Sequence, residues 1–203
     1  VFLVETLARS GVGYRLAGAE GEGVLDASRY DLLASEARLA SFLAIAKGDV
    51  PESHWFHLGR LATAVHGAPV LLSWTGTIFE YLMPLLLTRT YPGTLLDESC
   101  RMAVRRHIDY ADQLGSPWGI SESAFSAVDR HGTYQYRAFG VPGLGLKRGL
   151  GDDLVVAPYA SALAAMLVPA QSASNLRRLA ALGLEGEYGF ADAIDYTDRA
   201  EGG

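Results

Sequence analysis

The sequence holds a single cysteine, Cys100, in 203 residues, so no internal disulfide can form. Its five histidines fall in no metal-binding spacing with cysteine or acids, which excludes a zinc ribbon as well as a disulfide scaffold. A cationic surplus is also missing: 17 Lys and Arg stand against 23 Asp and Glu, a formal net charge of −6. No basic face is left to displace counterions from phosphates, so no nucleic-acid partner is expected. The run GLGLKRGLG does not end in Gly-Lys-Ser/Thr, which removes the phosphate loop. No serine stands in a Gly-x-Ser-x-Gly elbow, which argues against a serine hydrolase. Residues 154–176 carry no charge, but Pro158, Pro169, Gln171, Ser172, Ser174 and Asn175 interrupt them, so they read as two helices and not a membrane span. The chain opens on Val1 without a basic region, apolar run and cleavage site, and it reads as a piece of a longer protein.

What is present is a large apolar fraction, 49% of residues, enough to bury the core of one ordinary domain. Residues 11–24 are glycine-rich and suit turns. A helix is expected from a Ser28 cap through Lys47, stopped by Gly48, with a short one after Pro51. Thr77 to Arg89 reads as a buried helix kinked near Pro84, Leu95 to Leu114 as an amphipathic helix closed by Gly115, and 155–167 and 170–182 as two more. From Gly115 to Asp153 the chain holds eight glycines together with Trp118, Phe125, Tyr134, Tyr136 and Phe139, a long ordered insertion of the kind that carries sites. About six helices and little convincing strand make the expected class all-α.

Glu36 is the most informative acid. On the expected helix it falls among Leu32, Leu39, Ala40 and Leu43, and a carboxylate in an apolar stripe needs a partner, a raised pKa or a polar cavity. A salt bridge to Arg29 or Arg38 is the competing account. Glu122 lies in PWGISESAF between Trp118 and Phe125, and an acid walled by rings suits a sugar, whose CH faces pack on aromatics while its hydroxyls take hydrogen bonds. Thr77-x-x-Glu80 is a capping-box spacing, which gives Glu80 a structural role as ready as a binding one. Asp152 and Asp153 follow the glycine run and are placed to cap the next helix or to pair with Lys147 and Arg148.

Taken together, YDLLASEARLASFLAIAKGDVP (30–51), HWFHLGR (54–60), SWTGTIFEYLMPLLL (73–87), PWGISESAF (117–125) and NLRRLAALGLEGEYGF (175–190) resemble the glycoamylase-like cyclisation domain of bacterial cyclic β-1,2-glucan synthases, related to the β-1,2-glucanases. The resemblance covers residues 25–197 and implies a six-hairpin (α/α) barrel or toroid, or an incomplete part of one, over 25–203. Residues 1–24 match it poorly. It implies retaining transglycosylation on linear β-1,2-glucan, with Glu36 as nucleophile and Glu122 as acid/base. Tyr30, Trp74, Glu80, Trp118, Tyr134, Tyr136 and Tyr188 are the expected substrate-binding set. No cofactor or metal is implied, and the partners are the glucan and the remaining domains of a larger synthase. That would place the domain in the cytoplasm, or in the periplasm for a stand-alone glucanase. Hydrolysis of the same glucan, or a non-catalytic glucan-binding fragment, remains the alternative.

Overall fold

The computed structural model describes residues 15–17, 23–25 and 31–197. Strands β1 (Arg15–Ala17) and β2 (Gly23–Leu25) pair antiparallel. Helices α1 (Arg38–Ala46) and α2 (Ser53–His57) follow, then the hairpin β3 (Ala62–Val65) and β4 (Ala68–Leu71). Helix α3 (Ile78–Leu82) continues into a 3₁₀ turn (Met83–Leu86) and leads to α4 (Leu95–Leu114). A second hairpin pairs β5 (Ser123–Val128) with β6 (Tyr134–Arg137). After β7 (Val155–Val156) come α5 (Pro158–Ala164) and α6 (Pro169–Ala181), the small pair β8 (Glu185–Gly186) and β9 (Gly189–Phe190), and β10 (Ile194–Asp195), which returns to pair with β7.

The all-α expectation is therefore wrong. Five two-stranded antiparallel sheets lie among the described residues, and the chain is mixed α/β. Most of these strands are two to four residues long, too short for an alternation of apolar and polar positions to register. The β3–β4 turn places His66 and Gly67 at φ 49° and 79°, the paired left-handed conformations that tight hairpins need.

Helix α4 forms as its sequence dictates. The Thr94 hydroxyl accepts the Asp97 amide, Asp97 and Glu98 lie in the first turn, and Gly115 closes the helix at φ 68°. Its face Cys100, Ala103, Val104, His107 and Ala111 is buried and packs against β4 in the main core. Helix α3 begins with the capping box expected from Thr77 and Glu80, and Pro84 turns its continuation into the 3₁₀ segment. Tyr81 is fully buried, and its hydroxyl donates to the Leu71 and Leu144 carbonyls at 2.7 and 3.1 Å.

The glycine run owes its composition to close backbone approach. A Cβ on Gly140 would sit 1.5 Å from the Thr75 carbonyl oxygen, and one on Gly145 would meet the Thr75 carbonyl carbon at 2.5 Å. Across this contact Leu146 and Lys147 amides donate to the Ser73 and Trp74 carbonyls. Residues 140–147 thus clamp the loop 73–77, which in turn feeds α3. The Asp152 and Asp153 pairings differ from expectation: Arg137 holds Asp153, while the Lys147 ammonium donates to the Ala138 carbonyl.

Candidate active site

Glu36 is not in a helix. The Leu33 amide donates to the Gly59 carbonyl and the Gly59 amide to the Asp31 carbonyl, which draws the backbone into a bridge with Gly59 and leaves 33–37 as a turn ahead of α1. Ser35 completes it: its hydroxyl accepts from the Ala37 amide and donates to Glu36 Oε2 at 3.0 Å. The buried Arg38 guanidinium reaches the Ser35, Glu80 and Tyr81 carbonyls at 3.0, 3.0 and 2.6 Å and pins the turn to α3. Burial chiefly raises the Glu36 pKa, and the Glu80 charge adds to that; its own backbone amide, the Ser35 hydroxyl and the Arg38 charge oppose it. The Ser35 hydroxyl and the Arg38 charge, the two side-chain groups that favour the carboxylate, both flank Glu36 in this turn.

Glu122 reaches the same cluster from the other half of the chain. Asn175 of α6 grips the Trp118 backbone at both ends, accepting from its amide at 3.2 Å and donating to its carbonyl at 2.7 Å. Gly119 then turns at φ 117°, and its carbonyl accepts the Ala157 amide. Ile120 bridges to Val156, so Glu122 leaves this anchored strip just before β5. Burial raises its pKa to about 7, and the charges of Glu36 and Glu80 push in the same direction, while a hydrogen bond from Tyr136 opposes them. Three carboxyl groups therefore act on one another here. With a pKa of about 7 Glu122 keeps a substantial protonated fraction at neutral pH, the condition a general acid needs.

The remaining expected residues divide. Tyr136 donates to Glu122 Oε2 at 3.2 Å. Tyr134 and Tyr188 are exposed on hairpins. Trp74 is half-buried in the clamped loop, with its indole Nε1 unpartnered. Tyr30 lies outside the described residues. Glu80 is 3% exposed, and its carboxylate accepts from the amides of Trp74, Thr75 and Thr77 and the hydroxyls of Ser73, Thr75 and Thr77. With both oxygens occupied it organises the loop and has no oxygen free for a sugar, a correction to its place in the binding set.

Trp118 is likewise corrected: it is 6% exposed in the main core. Trp118→Ala should cost about 3 kcal/mol of stability through the cavity it leaves, lowering the melting temperature by roughly 6–12 °C. Thermal unfolding checks this, and an unchanged melting temperature would return Trp118 to an open groove.

Sequence reasoning missed Tyr159, Ser121 and Phe79. The Tyr159 hydroxyl donates to the buried Ser121 Oγ at 2.8 Å, which also accepts the Phe79 amide. The Tyr159 ring meets Phe79 edge-to-face at 6.5 Å, and the Glu122 charge helps raise the phenol's pKa after burial. These partly exposed rings lie beside the Ser121-Glu122 step, where Trp118 was expected. Nothing in local spacing flags them, although Ala157-Pro158 marks the helix start that presents Tyr159.

Glu122 also predicts a pH-dependent stability. Its proton is bound more tightly in the folded protein, at about 7 against an ordinary 4.5, so its contribution is complete below about 4.5 and lost as pH rises through 7. Glu122→Gln, which never ionises, should match the wild type at pH 4 and exceed it above pH 7. Because the group is only half-buried, the gain is discounted for screening to about 1–2 kcal/mol, or roughly 2–8 °C. Melting curves at the two pH values test it, and equal curves at pH 8 would remove the desolvated acid.

A separate cavity lies elsewhere. It measures about 530 Å³ and is lined by Thr63, His66, Arg106, Asp109, Asp112 and Gln113 among others, with none of Glu36, Glu80 and Glu122 on its walls. No group of three metal-ligating side chains stands together among the described residues, and no helix there is long and apolar enough to cross a membrane.

A family model described as putative glucoamylase matches residues 29–202. The chain belongs to this glycoamylase family. Within the family's reach, it is 50% identical over 186 residues to the cyclic beta-(1,2)-glucan synthase NdvB of Rhizobium meliloti (strain 1021). That match takes in 92% of this chain and 6% of the synthase. Among solved structures, an endo-beta-1,2-glucanase from Chitinophaga pinensis, in complex with sophorotriose and glucose, superposes with a TM-score of 0.59 at 18% identity. The match covers 81% of this chain and 43% of the glucanase. At that identity the likeness is one of fold. The chain thus spans a small part of its synthase relative and under half of its structural neighbour.

Proposed function

We propose that this chain is the glucan-processing unit of a larger enzyme acting on β-1,2-glucan by retaining transglycosylation. The observation that carries the reading is the pair of half-buried carboxyls, Glu36 and Glu122, whose charges act on each other in a chain half identical to a cyclic β-1,2-glucan synthase. Glu36 attacks the anomeric carbon as the carboxylate, helped by the Ser35 hydroxyl and the Arg38 charge. Glu122 gives its proton to the departing glycosidic oxygen. The resulting glycosyl ester is opened by a hydroxyl at the chain's own non-reducing end, whose proton returns to Glu122, leaving a ring and both acids as they began.

Water in place of that hydroxyl would give hydrolysis, so one experiment separates the outcomes. Linear β-1,2-glucan is incubated with the protein and the products weighed. Masses one water below the linear chains mark rings, shorter linear chains mark hydrolysis, and unchanged glucan would defeat the reading. On this proposal the remaining domains of a synthase supply the linear glucan on the cytoplasmic side.

A further inference from the structure

The reaction above asks Glu122 to release and recover a proton, and a carboxyl has two oxygens on which to carry it. The structure distinguishes them. Oε2 receives the Tyr136 hydroxyl at 3.2 Å. A phenol that donates its hydrogen to Oε2 disfavours a proton on that oxygen, because two hydrogens would then face each other along one contact.

Tyr136 is held where it can do this. It stands on β6 opposite Ala124 of β5. The hairpin is tied down from the end of the chain, since Asp192 accepts the Ala124 amide at 2.6 Å and Asp195 accepts both the amide and the hydroxyl of Ser126. Next along β6, Arg137 pairs with Asp153 and stacks over Phe125 and Phe139. The other phenol near the acid, Tyr159, is committed to Ser121. Glu36 acts on Glu122 from the 33–37 turn, Glu80 from α3, and Asp192 acts on Tyr136 from the last segment.

We propose that Tyr136 is a positioning residue that reserves Oε2 of Glu122 as a hydrogen-bond acceptor, so that Oε1 is the oxygen that delivers and recovers the proton. This rests on the transglycosylation reading and deepens it. In the first half of the reaction the proton on Oε1 passes to the leaving glycosidic oxygen, and the Tyr136 bond strengthens as the carboxylate forms. In the second half Oε1 takes the acceptor's proton while Oε2 stays occupied. The sequence reading gave Tyr136 a different task, a platform for a sugar ring, and Tyr136→Phe separates the two because it keeps the ring and removes the hydroxyl.

The experiment follows the side-chain carboxyl of Glu122 by carbon-13 NMR titration without substrate, its signal assigned by its loss in Glu122→Gln. Linear-glucan kinetics are measured in parallel. A donor to the charged form lowers an acid's pKa, so Tyr136→Phe should move the Glu122 titration upward by about one pH unit. The ring is 66% exposed, and the melting temperature should stay at the wild-type value. Turnover should fall about tenfold with KM unchanged, and the limb of the pH–rate profile should move with the titration. An unmoved titration in Tyr136→Phe overturns the proposal, whatever the protein does to glucan. So does a KM rise confined to Tyr136→Ala with Tyr136→Phe behaving as wild type, which would make the ring a platform. A moved titration in a protein whose wild type leaves linear glucan intact defeats the function and the proton-delivery role while keeping the hydrogen bond.

Discussion

Glu36→Gln is expected to lower turnover of linear β-1,2-glucan by on the order of 10⁴, because an amide forms no glycosyl ester and no neighbouring group replaces it. The expectation follows from the environment of the turn. Burial raises the Glu36 pKa, which taken alone favours an acid over a nucleophile. The Ser35 hydroxyl and the Arg38 guanidinium, fixed by three backbone carbonyls, stabilise the charged form that attack requires. Glu122→Gln should lower glucan turnover by about 10²–10³. It should nevertheless keep most of the first step on a glycosyl fluoride, whose leaving group needs little protonation. The comparison is made by fluoride release in single turnover. Fluoride release by Glu36→Gln with none by Glu122→Gln would exchange the roles, and wild-type rates in both would remove the two acids from the chemistry.

The second large effect is on stability. Glu80→Ala should cost about 5 kcal/mol, because the amides of Trp74, Thr75 and Thr77 and the hydroxyls around them lose their shared acceptor inside the core. That approaches the whole margin of an ordinary domain. The loop 73–77 is also the surface against which Gly140 and Gly145 close, so its loss spreads to the glycine run. Denaturant unfolding measures the change. A stable Glu80→Ala protein with weakened glucan binding would restore Glu80 to the sugar site.

Some of this arrangement is legible in the chain. Helix α4 carries a Thr94 cap, acids in its first turn, an apolar stripe at helical spacing and a left-handed glycine, so every local signal agrees. Thr77-x-x-Glu80 announces its capping box the same way. Glu36 shows the limit of such reasoning. Its segment has helical spacing, but the Leu33 amide is taken by Gly59, a bridge no periodicity announces. The inference of an acid in apolar surroundings survives although the helix face that produced it does not. Trp118 and Tyr159 make the converse point: both are aromatics beside small residues, and only the Asn175 grip and the packing of α5 decide which is core and which faces the acids.

The anchoring of the β5–β6 hairpin by Asp192 and Asp195 has a consequence for the order of folding. The bonds from Ala124 and Ser126 span 68 and 69 residues, and β10 pairs with β7. Contacts of such separation carry a larger loop-closure cost than the local bonds of α4 or of the 33–37 turn. The clasp that holds Tyr136 beside Glu122 is therefore expected to close after those local elements have formed.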